Sequence, residues 1–264
     1  MDQPRKVMGD VHILPAHVSI PGVGFLGVNA FVLKASQPVL IDTGIGLDTG
    51  AFMKALESVI DPRDLRWIWL THDDADHTGS LERLMQAAPR ARLAANSLAV
   101  LRTGTAWPVP MDRVHWLNPG DSISAGDRTL TAVRPPLFDN PTTIGAYDDK
   151  SGTLFSADCF GAIISAPAQD ADDIAAADLA GGMMGWASLD SPWVHIARPA
   201  EVDASLNTIR QMAPRTILSA HLPPAQGKTA QFLDVLAALP GSAPAVPPNQ
   251  AALVQILAQA KAQA

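Results

Sequence analysis

Short apolar runs separated by glycine, proline and polar turn residues make up the first part of the chain. The runs at 11–14, 22–33 and 38–44 are rich in Val, Ile, Leu and Phe, which predicts three strands of an antiparallel meander. Residues 48–59 carry apolar side chains at helical spacing, and the run 65–70 alternates and is rich in Trp and Ile. The pattern therefore predicts a meander, a helix and a further strand, in that order.

The second half of the chain repeats this order of strands followed by helices. A turn at 148–152 joins two apolar runs and predicts a β-hairpin. The acidic, alanine-rich segment 169–182 predicts a solvated helix that leads into a flexible, glycine-containing segment. The other elements predicted beyond residue 90 are strands at 91–95, 113–117, 128–133, 153–161 and 216–220, and helices at 98–102, 199–212 and 251–262.

Five ionisable side chains lie within six residues between the strand at 65–70 and an amphipathic run at 80–85. They are two imidazoles and three carboxylates, His72, Asp73, Asp74, Asp76 and His77. Closely spaced carboxylates repel one another and are costly to bury unpaired, and a bound divalent cation neutralises them. A solvated polar loop is the alternative, but it does not explain two histidines around alternate carboxylates. The spacing predicts a metal site, with Asp73 facing solvent.

Composition and charge narrow the class of protein. The chain has 264 residues, 47% of them hydrophobic, and a net charge of −7, which argues against a nucleic-acid-binding surface. No apolar stretch has the length of a membrane span, and no signal-peptide core follows residues 1–6, so we expect a cytoplasmic protein without membrane contact. The single cysteine, Cys159, excludes an intramolecular disulfide and a cysteine-based metal site. A metal ion must then be held by nitrogen and oxygen.

Further polar residues stand where predicted strands end. Asp42 ends the third strand, Asp158 ends the second strand of the hairpin, His221 follows the strand at 216–220, and Asp139 lies in the loop before the hairpin. Side chains that leave neighbouring strands at one edge converge on a common site. We therefore expect Asp139, Asp158 and His221 to meet the charged cluster. Asp42 is a candidate for orienting one of the ligands.

Four short motifs together resemble the metallo-β-lactamase superfamily. They are Asp42-Thr43-Gly44, Thr71-His72-x-Asp74-x-Asp76-His77-x-Gly79, Ser156-Ala157-Asp158 and Ser219-Ala220-His221. The resemblance covers about residues 10–225 and implies an α/β (α+β) fold, a four-layer αββα sandwich with a dinuclear metal site between its two sheets. We expect the metallo-β-lactamase-like domain at 1–240 and a linker with a C-terminal helix at 241–264.

Two departures from the common pattern point to one branch of that superfamily. Most of its hydrolases have His-x-His-x-Asp-His, whereas this chain has Asp74 in place of the second histidine of that motif. The position that aligns with the family's third histidine is Asp139. A carboxylate at the second position resembles the flavodiiron proteins and related oxygen-binding di-iron proteins, which have His-x-Glu-x-Asp-His. The runs 28–33 and 154–161 also resemble that branch.

The resemblance implies a ligand set for each of two divalent metal ions. One ion would be bound by His72, Asp74, Asp139 and Asp158, and the other by Asp76, His77 and His221, with Asp158 bridging the two. These oxygen-rich sets favour harder ions than zinc, so iron is expected, with manganese or zinc as alternatives. Asp74 or Asp76 would assist proton transfer as a catalytic residue. His195 occupies a segment where superfamily members often place substrate-facing residues, and it is a further catalytic candidate.

Two classes of enzyme follow from the resemblance. The first is an oxidoreductase of the flavodiiron type, whose di-iron site binds or reduces O2 or NO. The second is a metal-dependent hydrolase of a lactone, thioester or phosphoester, in which the metals activate a bridging water. A metal-binding sensor, or a site that has lost its activity, is a third possibility.

The resemblance also implies partners. Flavodiiron proteins bear FMN on a flavodoxin domain, and some forty residues after His221 are too few for one. We therefore expect no flavin bound by this chain alone, and an external electron donor. A small-molecule substrate and a homodimer are the other expectations.

Overall fold

Strands and helices alternate along the residues that the computed structural model describes, which are 1–263 for the backbone and 1–258 for the side chains. The strands are β1 (Arg5–Met8), β2 (Val11–Leu14), β3 (His17–Ile20), β4 (Gly24–Gly27), β5 (Ala30–Leu33), β6 (Val39–Ile41), β7 (Trp67–Trp69), β8 (Arg92–Ala95), β9 (Val114–Trp116), β10 (Ser122–Ser124), β11 (Thr129–Val133), β12 (Gly145–Asp148), β13 (Thr153–Phe155), β14 (Ile163–Ile164), β15 (Thr216–Leu218) and β16 (Ala225–Gln226). The helices are α1 (Thr49–Val59), α2 (Ala75–Thr78), α3 (Leu81–Ala87), α4 (Ser97–Thr103), α5 (Ala176–Asp190), α6 (Pro199–Met212), α7 (Thr229–Ala237) and α8 (Gln250–Gln263).

Two large sheets and one small sheet contain these strands. The first large sheet has the order β1-β2-β5-β6-β7-β8-β9, and its pairs from β6 to β9 are parallel. Parallel neighbours need a crossover, and α1, α2 with α3, and α4 supply the three that are required. The second has the order β10-β11-β12-β13-β15-β16, with β13 and β15 parallel across α5 and α6. The small sheet has the order β14-β4-β3.

Side-chain alternation along the strands divides the interior into three apolar layers. Phe31 and Phe155 lie in the layer between the two large sheets, where their rings are 5.5 Å apart. Val32, next to Phe31, points to the other face and packs with α1 and α3. Leu154, next to Phe155, points outward and packs with α5, α6 and α7. Because successive residues of a strand face opposite sides, each sheet is covered on both faces, and the αββα sandwich predicted from the sequence is confirmed.

The predicted polar strand ends meet at one edge of the sandwich. β6 and β7 run in parallel and end just before Asp42 and Thr71, and β13 and β15 run in parallel and end just before Ser156 and Ser219. Backbone hydrogen bonds join the two halves at this edge. Ile144 N donates to Thr71 O over 2.8 Å, and Ala220 O accepts from the amide before β5 over the same distance.

Three sequence predictions about elements need correction. The run 22–33 is two strands in different sheets, separated by buried Asn29, whose amide donates to backbone carbonyls of the loop after β15. The strand predicted at 153–161 ends at Phe155, because Ala157 and Phe160 have positive φ angles of 53° and 64° and turn the chain. The glycine-containing segment predicted to be flexible after the acidic helix is instead part of α5, which runs without a break through Gly181, Gly182 and Gly185.

The glycines of α5 are packing residues. A Cβ added at Gly182 would lie 2.2 Å from the carbonyl oxygen of Ile163, so glycine lets the helix approach β14 closely. Leu179, Met183 and Ala187 bury the adjacent face. The helix therefore continues through its glycines to Asp190.

The C-terminal helix predicted at 251–262 lies within α8, and the linker before it contacts α5, where Ala245 N donates to Ser188 Oγ over 2.7 Å. The domain boundary at residue 240 stays a prediction. Among the described residues there is no helix with the length and apolar character that crossing a membrane requires.

Candidate metal centre

The loop that carries the charged cluster is held against the loop after β6. Thr43 N donates to His77 O, and Gly79 N donates to Gly44 O, each over 2.8 Å. The two backbones approach so closely that a Cβ at Gly79 would lie 2.1 Å from Gly46 N. This contact fixes the short helix α2, and with it the direction of the His77 side chain.

Each of the three cluster histidines has its Nδ1 bound within the protein. His77 Nδ1 donates to Asp42 Oδ2 over 2.9 Å, and His221 Nδ1 donates to the carbonyl of Gly27 over 2.6 Å. His72 Nδ1 lies 3.1 Å from the hydroxyl of Thr71, which itself donates to Asp42 Oδ2. Contacts of this kind set the tautomer of a histidine and leave its Nε2 free to bind a metal ion. The sequence-based expectation that Asp42 orients a neighbouring histidine agrees with this geometry.

The three Nε2 atoms point into one buried space. His72, His77 and His221 are at most 1% exposed, and their Nε2 atoms, with Asp158 Oδ1, have no hydrogen-bond partner among the described residues. A buried polar atom without a partner costs about 1–3 kcal/mol. Four such atoms facing each other are the pattern expected of a site whose ligands are paired by a cation.

Asp158 lies at the centre of this group. Its Oδ1 is 2.9 Å from His77 Nε2 and 3.2 Å from His221 Nε2, whereas its Oδ2 is 3.6 Å from His72 Nε2. Two atoms bound to the same ion at about 2.0–2.1 Å lie about 3–3.5 Å apart. The carboxylate therefore presents one oxygen to each half of the cluster at distances that suit two ions.

Asp74, Asp76 and Asp139 complete the two halves. Asp76 Oδ2 is 3.5 Å from the Nε2 atoms of both His77 and His221. Asp74 Oδ2 is 3.8 Å from His72 Nε2, and ligand atoms of His72, Asp74 and Asp139 lie within 4.8 Å of one another. The structure thus brings together all seven of the predicted metal ligands.

Charges within the cluster shift the pKa values of its members. Burial alone lowers the pKa of a histidine, but the Asp158 carboxylate outweighs it, so the pKa of His77 lies well above the usual value and that of His221 is about 8. Burial raises the pKa of Asp158, yet the positive imidazoles reverse this and hold it well below the usual range. Burial raises the pKa of Asp139, and Asp158 and Asp74 add to the effect. The Asp158 carboxylate therefore favours the protonated forms of His77 and His221.

Two residues near the cluster were missed by the sequence analysis. Asn140, buried in the loop after β11, donates through Nδ2 to Asp74 Oδ1 over 2.9 Å. Asp190, the last residue of α5, has a carboxylate oxygen within 4.8 Å of oxygens of Asp139 and Asp158. Burial raises the pKa of Asp190 to about 8, and the charges of these two carboxylates contribute. Neither residue ends a strand, so the strand-end criterion could not select them.

The prediction that Asp73 faces solvent is wrong. Its side chain is 11% exposed, and its Oδ1 accepts hydrogen bonds from Thr142 Oγ1 over 2.8 Å and Asn140 Nδ2 over 3.3 Å. Arg102 Nη1 lies 3.5 Å from the same oxygen. Asp73 holds the loop that carries Asn140, because a partly buried carboxylate recruits donors.

His195 lies outside the groups of close ligand atoms found among the described residues. Its Nε2 is 2.6 Å from Ser188 Oγ, and its Nδ1 is buried without a hydrogen-bond partner in that part of the chain. Its predicted catalytic role stays a prediction. Trp186 does line the cluster, with its ring 4.7 Å from that of His221 and its Nε1 donating to the carbonyl of Asp158.

The donor set suits the metal ions that the resemblance implies. It offers three imidazole Nε2 atoms, whose rings are oriented through contacts at Nδ1, and carboxylates from Asp74, Asp76, Asp139 and Asp158. Nitrogen and oxygen donors of this kind bind iron, manganese and zinc. The unpartnered Nε2 atoms show that the residues present fit such a centre.

The metallo-beta-lactamase superfamily matches residues 23–221 of the chain, a segment that contains the whole cluster. The chain belongs to this superfamily, as its motifs predict. Within the superfamily, its sequence and structural relatives include flavodiiron proteins, the branch predicted from Asp74.

Three of these relatives illustrate the match. The type A flavoprotein fprA of Rhodobacter capsulatus is 32% identical over 136 residues, which are 50% of this chain and 31% of that protein. The rubredoxin oxygen:oxidoreductase of Desulfovibrio gigas aligns with a TM-score of 0.76 and 22% identity over 90% of this chain and 61% of its own. The flavodiiron protein from Giardia intestinalis aligns with a TM-score of 0.80 and 16% identity over 91% of this chain and 60% of its own. The chain thus spans less than two thirds of each relative.

Proposed function

We propose that the cluster binds two metal ions through the ligand sets implied by the family pattern. One ion takes His72, Asp74, Asp139 and Asp158, and the other takes Asp76, His77, His221 and Asp158. The observation that carries this proposal is the position of Asp158, which directs one oxygen to His77 and His221 and the other to His72. A carboxylate placed in this way bridges two ions.

Iron is the metal that we propose for both positions. The first set has one nitrogen and three oxygens, and the second has two of each, so hard oxygen donors outnumber imidazoles. Four carboxylates balance the charge of two divalent ions, and further oxidation of the metals is not opposed by a surplus of positive charge. Mixed His and carboxylate shells with open positions are typical of non-haem iron.

The proposed reaction is the binding or reduction of O2 or NO. When bound, a di-iron centre would offer open positions for the small molecule and would pass on to it the electrons that an external donor supplies. The relatives support the proposal, since they include a protein named for oxygen reduction and others named flavodiiron. The small-molecule substrate expected from the sequence would then be a diatomic gas.

Asp74 and Asp76 are the groups that we propose to move protons at the centre. Their side chains are 45% and 29% exposed, whereas Asp158 is 6% exposed, so they alone of these three reach bulk water. A carboxylate that touches both solvent and the reacting site can deliver a proton. Asn140 positions Asp74 through its 2.9 Å hydrogen bond.

The reduction needs electrons from outside the described residues. We therefore propose an external electron donor. A homodimer stays a prediction, to be checked by measuring the mass of the protein in solution.

Metal analysis and spectroscopy test the proposed function. The protein is purified without added metal or chelator, its metal content is measured, and optical spectra are taken with and without O2. Two irons per chain, an oxygen-dependent charge-transfer band, and O2 or NO consumption with a chemical reductant are expected. Two zinc ions and no redox response would overturn the proposal in favour of the hydrolase, which a panel of lactone, thioester and phosphoester substrates would then examine.

A further inference from the structure

The last residue of α5 lies beside the first metal position, although the family pattern assigns no ligand there. Oxygens of Asp139, Asp158 and Asp190 lie within 4.8 Å of one another. The helix ends at this point, where Ser191 N donates to Ala187 O over 3.0 Å. Helix α5 is anchored by Leu179, Met183 and Ala187, so the position of Asp190 is set by core packing.

Three carboxylates at this separation need a positive charge. Like charges at such distances repel, most strongly around Asp158, whose side chain is 6% exposed. Within the described part of the chain, no Lys or Arg forms an ion pair with Asp139, Asp158 or Asp190, and the ion pairs of Asp158 are to histidines alone. The one side-chain donor to Asp190 is Ser191 Oγ, at 3.3 Å. Histidines are therefore the side chains that balance Asp158, and no Lys or Arg among the described residues balances Asp139 or Asp190.

A second observation, at the neighbouring His72, also points to a bound cation. His72 Nε2 is fully buried and has no hydrogen-bond partner among the residues described. Ligand atoms of His72, Asp74 and Asp139 lie within 4.8 Å of one another. Asp139 also belongs to the second group of this kind, the one that contains Asp190. Asp139 thus belongs to both groups, so one carboxylate links the unpartnered imidazole to Asp190.

We propose that Asp190 is a further ligand of the metal ion held by His72, Asp74, Asp139 and Asp158. This inference rests on the proposed dinuclear centre. The additional carboxylate comes from α5, the helix on the outer face of the second sheet. Helix α5 and the loops at the strand ends would then bind the same ion. The ligands then carry five carboxylates, one negative charge more than two divalent ions balance, which favours a higher oxidation state at the first position.

The test compares metal binding by the wild type, Asp190→Asn and Asp190→Ala. Metal-free protein is titrated anaerobically with Fe(II) and with Mn(II) against a chromophoric chelator, which gives the number of ions and the affinity of each. Asp178→Asn is the matched control, because it removes an exposed carboxylate from the same helix. Circular dichroism verifies that each variant is folded, and Asp190→Asn keeps the shape of the side chain.

We expect one of the two steps to lose affinity by about tenfold or more in both Asp190 variants, since removing even an indirect partner of a ligand typically costs about 10–100-fold. The other step and the Asp178 variant should match the wild type. In Co(II)-loaded protein the ligand-field bands should become more intense in the variants, because they strengthen as the coordination number falls.

The outcomes separate this inference from the proposed function. If the wild type binds two ions and both Asp190 variants bind them with unchanged affinities and unchanged cobalt spectra, Asp190 is not a ligand and the dinuclear centre stands. If the wild type does not bind two ions, the proposed function fails, and this inference fails with it.

Discussion

The carboxylate of Asp42 accepts a hydrogen bond from His77 Nδ1 over 2.9 Å, 35 positions along the chain. Thr71 donates to the same carboxylate twice, from its amide to Oδ1 and from its hydroxyl to Oδ2, each over 2.8 Å. The backbone of Asp42 has a φ angle of 59°, a conformation that costs a residue other than glycine about 1–3 kcal/mol. This strained conformation occurs directly after β6, where it places the Asp42 carboxylate beside His77.

Replacing Asp42 by Asn should weaken metal binding without removing a ligand. An amide has one oxygen for the three donors that Asp42 now accepts, so His77 loses its fixed orientation and part of its basicity. Removing such a partner typically costs about 10–100-fold in metal affinity. Chelator competition on metal-free Asp42→Asn should show this loss at one of two ions. Asp48→Asn is the control: it removes an exposed carboxylate that contacts none of the cluster histidines but keeps an oxygen to cap α1. It should leave both affinities unchanged, and equal losses in the two variants would contradict the role of Asp42.

Metal binding should weaken as the pH falls. The pKa of His221 is about 8 in the metal-free protein, and that of His77 lies well above its usual value, both because of Asp158. An ion must displace these protons, so below a pKa each unit of pH costs about tenfold in apparent affinity for every proton displaced. Above those pKa values the dependence should vanish. Chelator competition between about pH 6 and about pH 9, with proton release measured directly, checks this sign. An affinity independent of pH would show that the imidazoles are already neutral.

Asp158→Ala should abolish the binding of both ions, whereas Asp139→Ala should affect one. The two oxygens of Asp158 face different halves of the cluster. The groups of close ligand atoms that include Asp139 consist of residues of the first half and Asp190. Elemental analysis after dialysis against buffer without metal gives the ions retained per chain. Asp149→Ala, in the hairpin turn, is the control and should retain both. Two ions retained by Asp158→Ala would exclude a bridging role.

The residues that follow strand ends were the part of the metal site that could be predicted from the sequence. His72, Asp158 and His221 each stand three residues after the end of a buried strand, and parallel pairing places such residues at one edge. Asp190 and Asn140 could not be found in this way, because one ends a helix and the other lies in an irregular loop. Their approach to the cluster depends on how α5 and the loop after β11 pack, which periodicity does not describe.

The glycine-containing part of α5 was predicted to be flexible and is helical, and the reason is again tertiary packing. A glycine in a helix costs about 1 kcal/mol relative to alanine, so a segment with Gly181 and Gly182 predicts a weak helix. In the folded protein, however, Gly182 lies against the backbone of β14, and this contact needs the absence of a side chain. Tertiary packing overrides the local preference.

Gly79→Ala should destabilise the protein and disturb the metal centre together. A Cβ at this position would lie 2.1 Å from Gly46 N, 2.4 Å from Ile45 C and 2.6 Å from Gly44 O, all of them backbone atoms that no side-chain rotation can clear. The loop of the cluster must move away from the loop after β6, at a cost of about 1–3 kcal/mol or more in the free energy of unfolding. His77 should move with it and lose its bond to Asp42.

Urea unfolding and chelator competition measure the two effects, with Gly181→Ala as the control. Gly181 has no atom within 4 Å of its Cβ position, so its replacement should raise stability slightly through helix propensity and leave metal affinity unchanged. A stable Gly79→Ala variant with normal metal affinity would show that the contact between the two loops does not position His77.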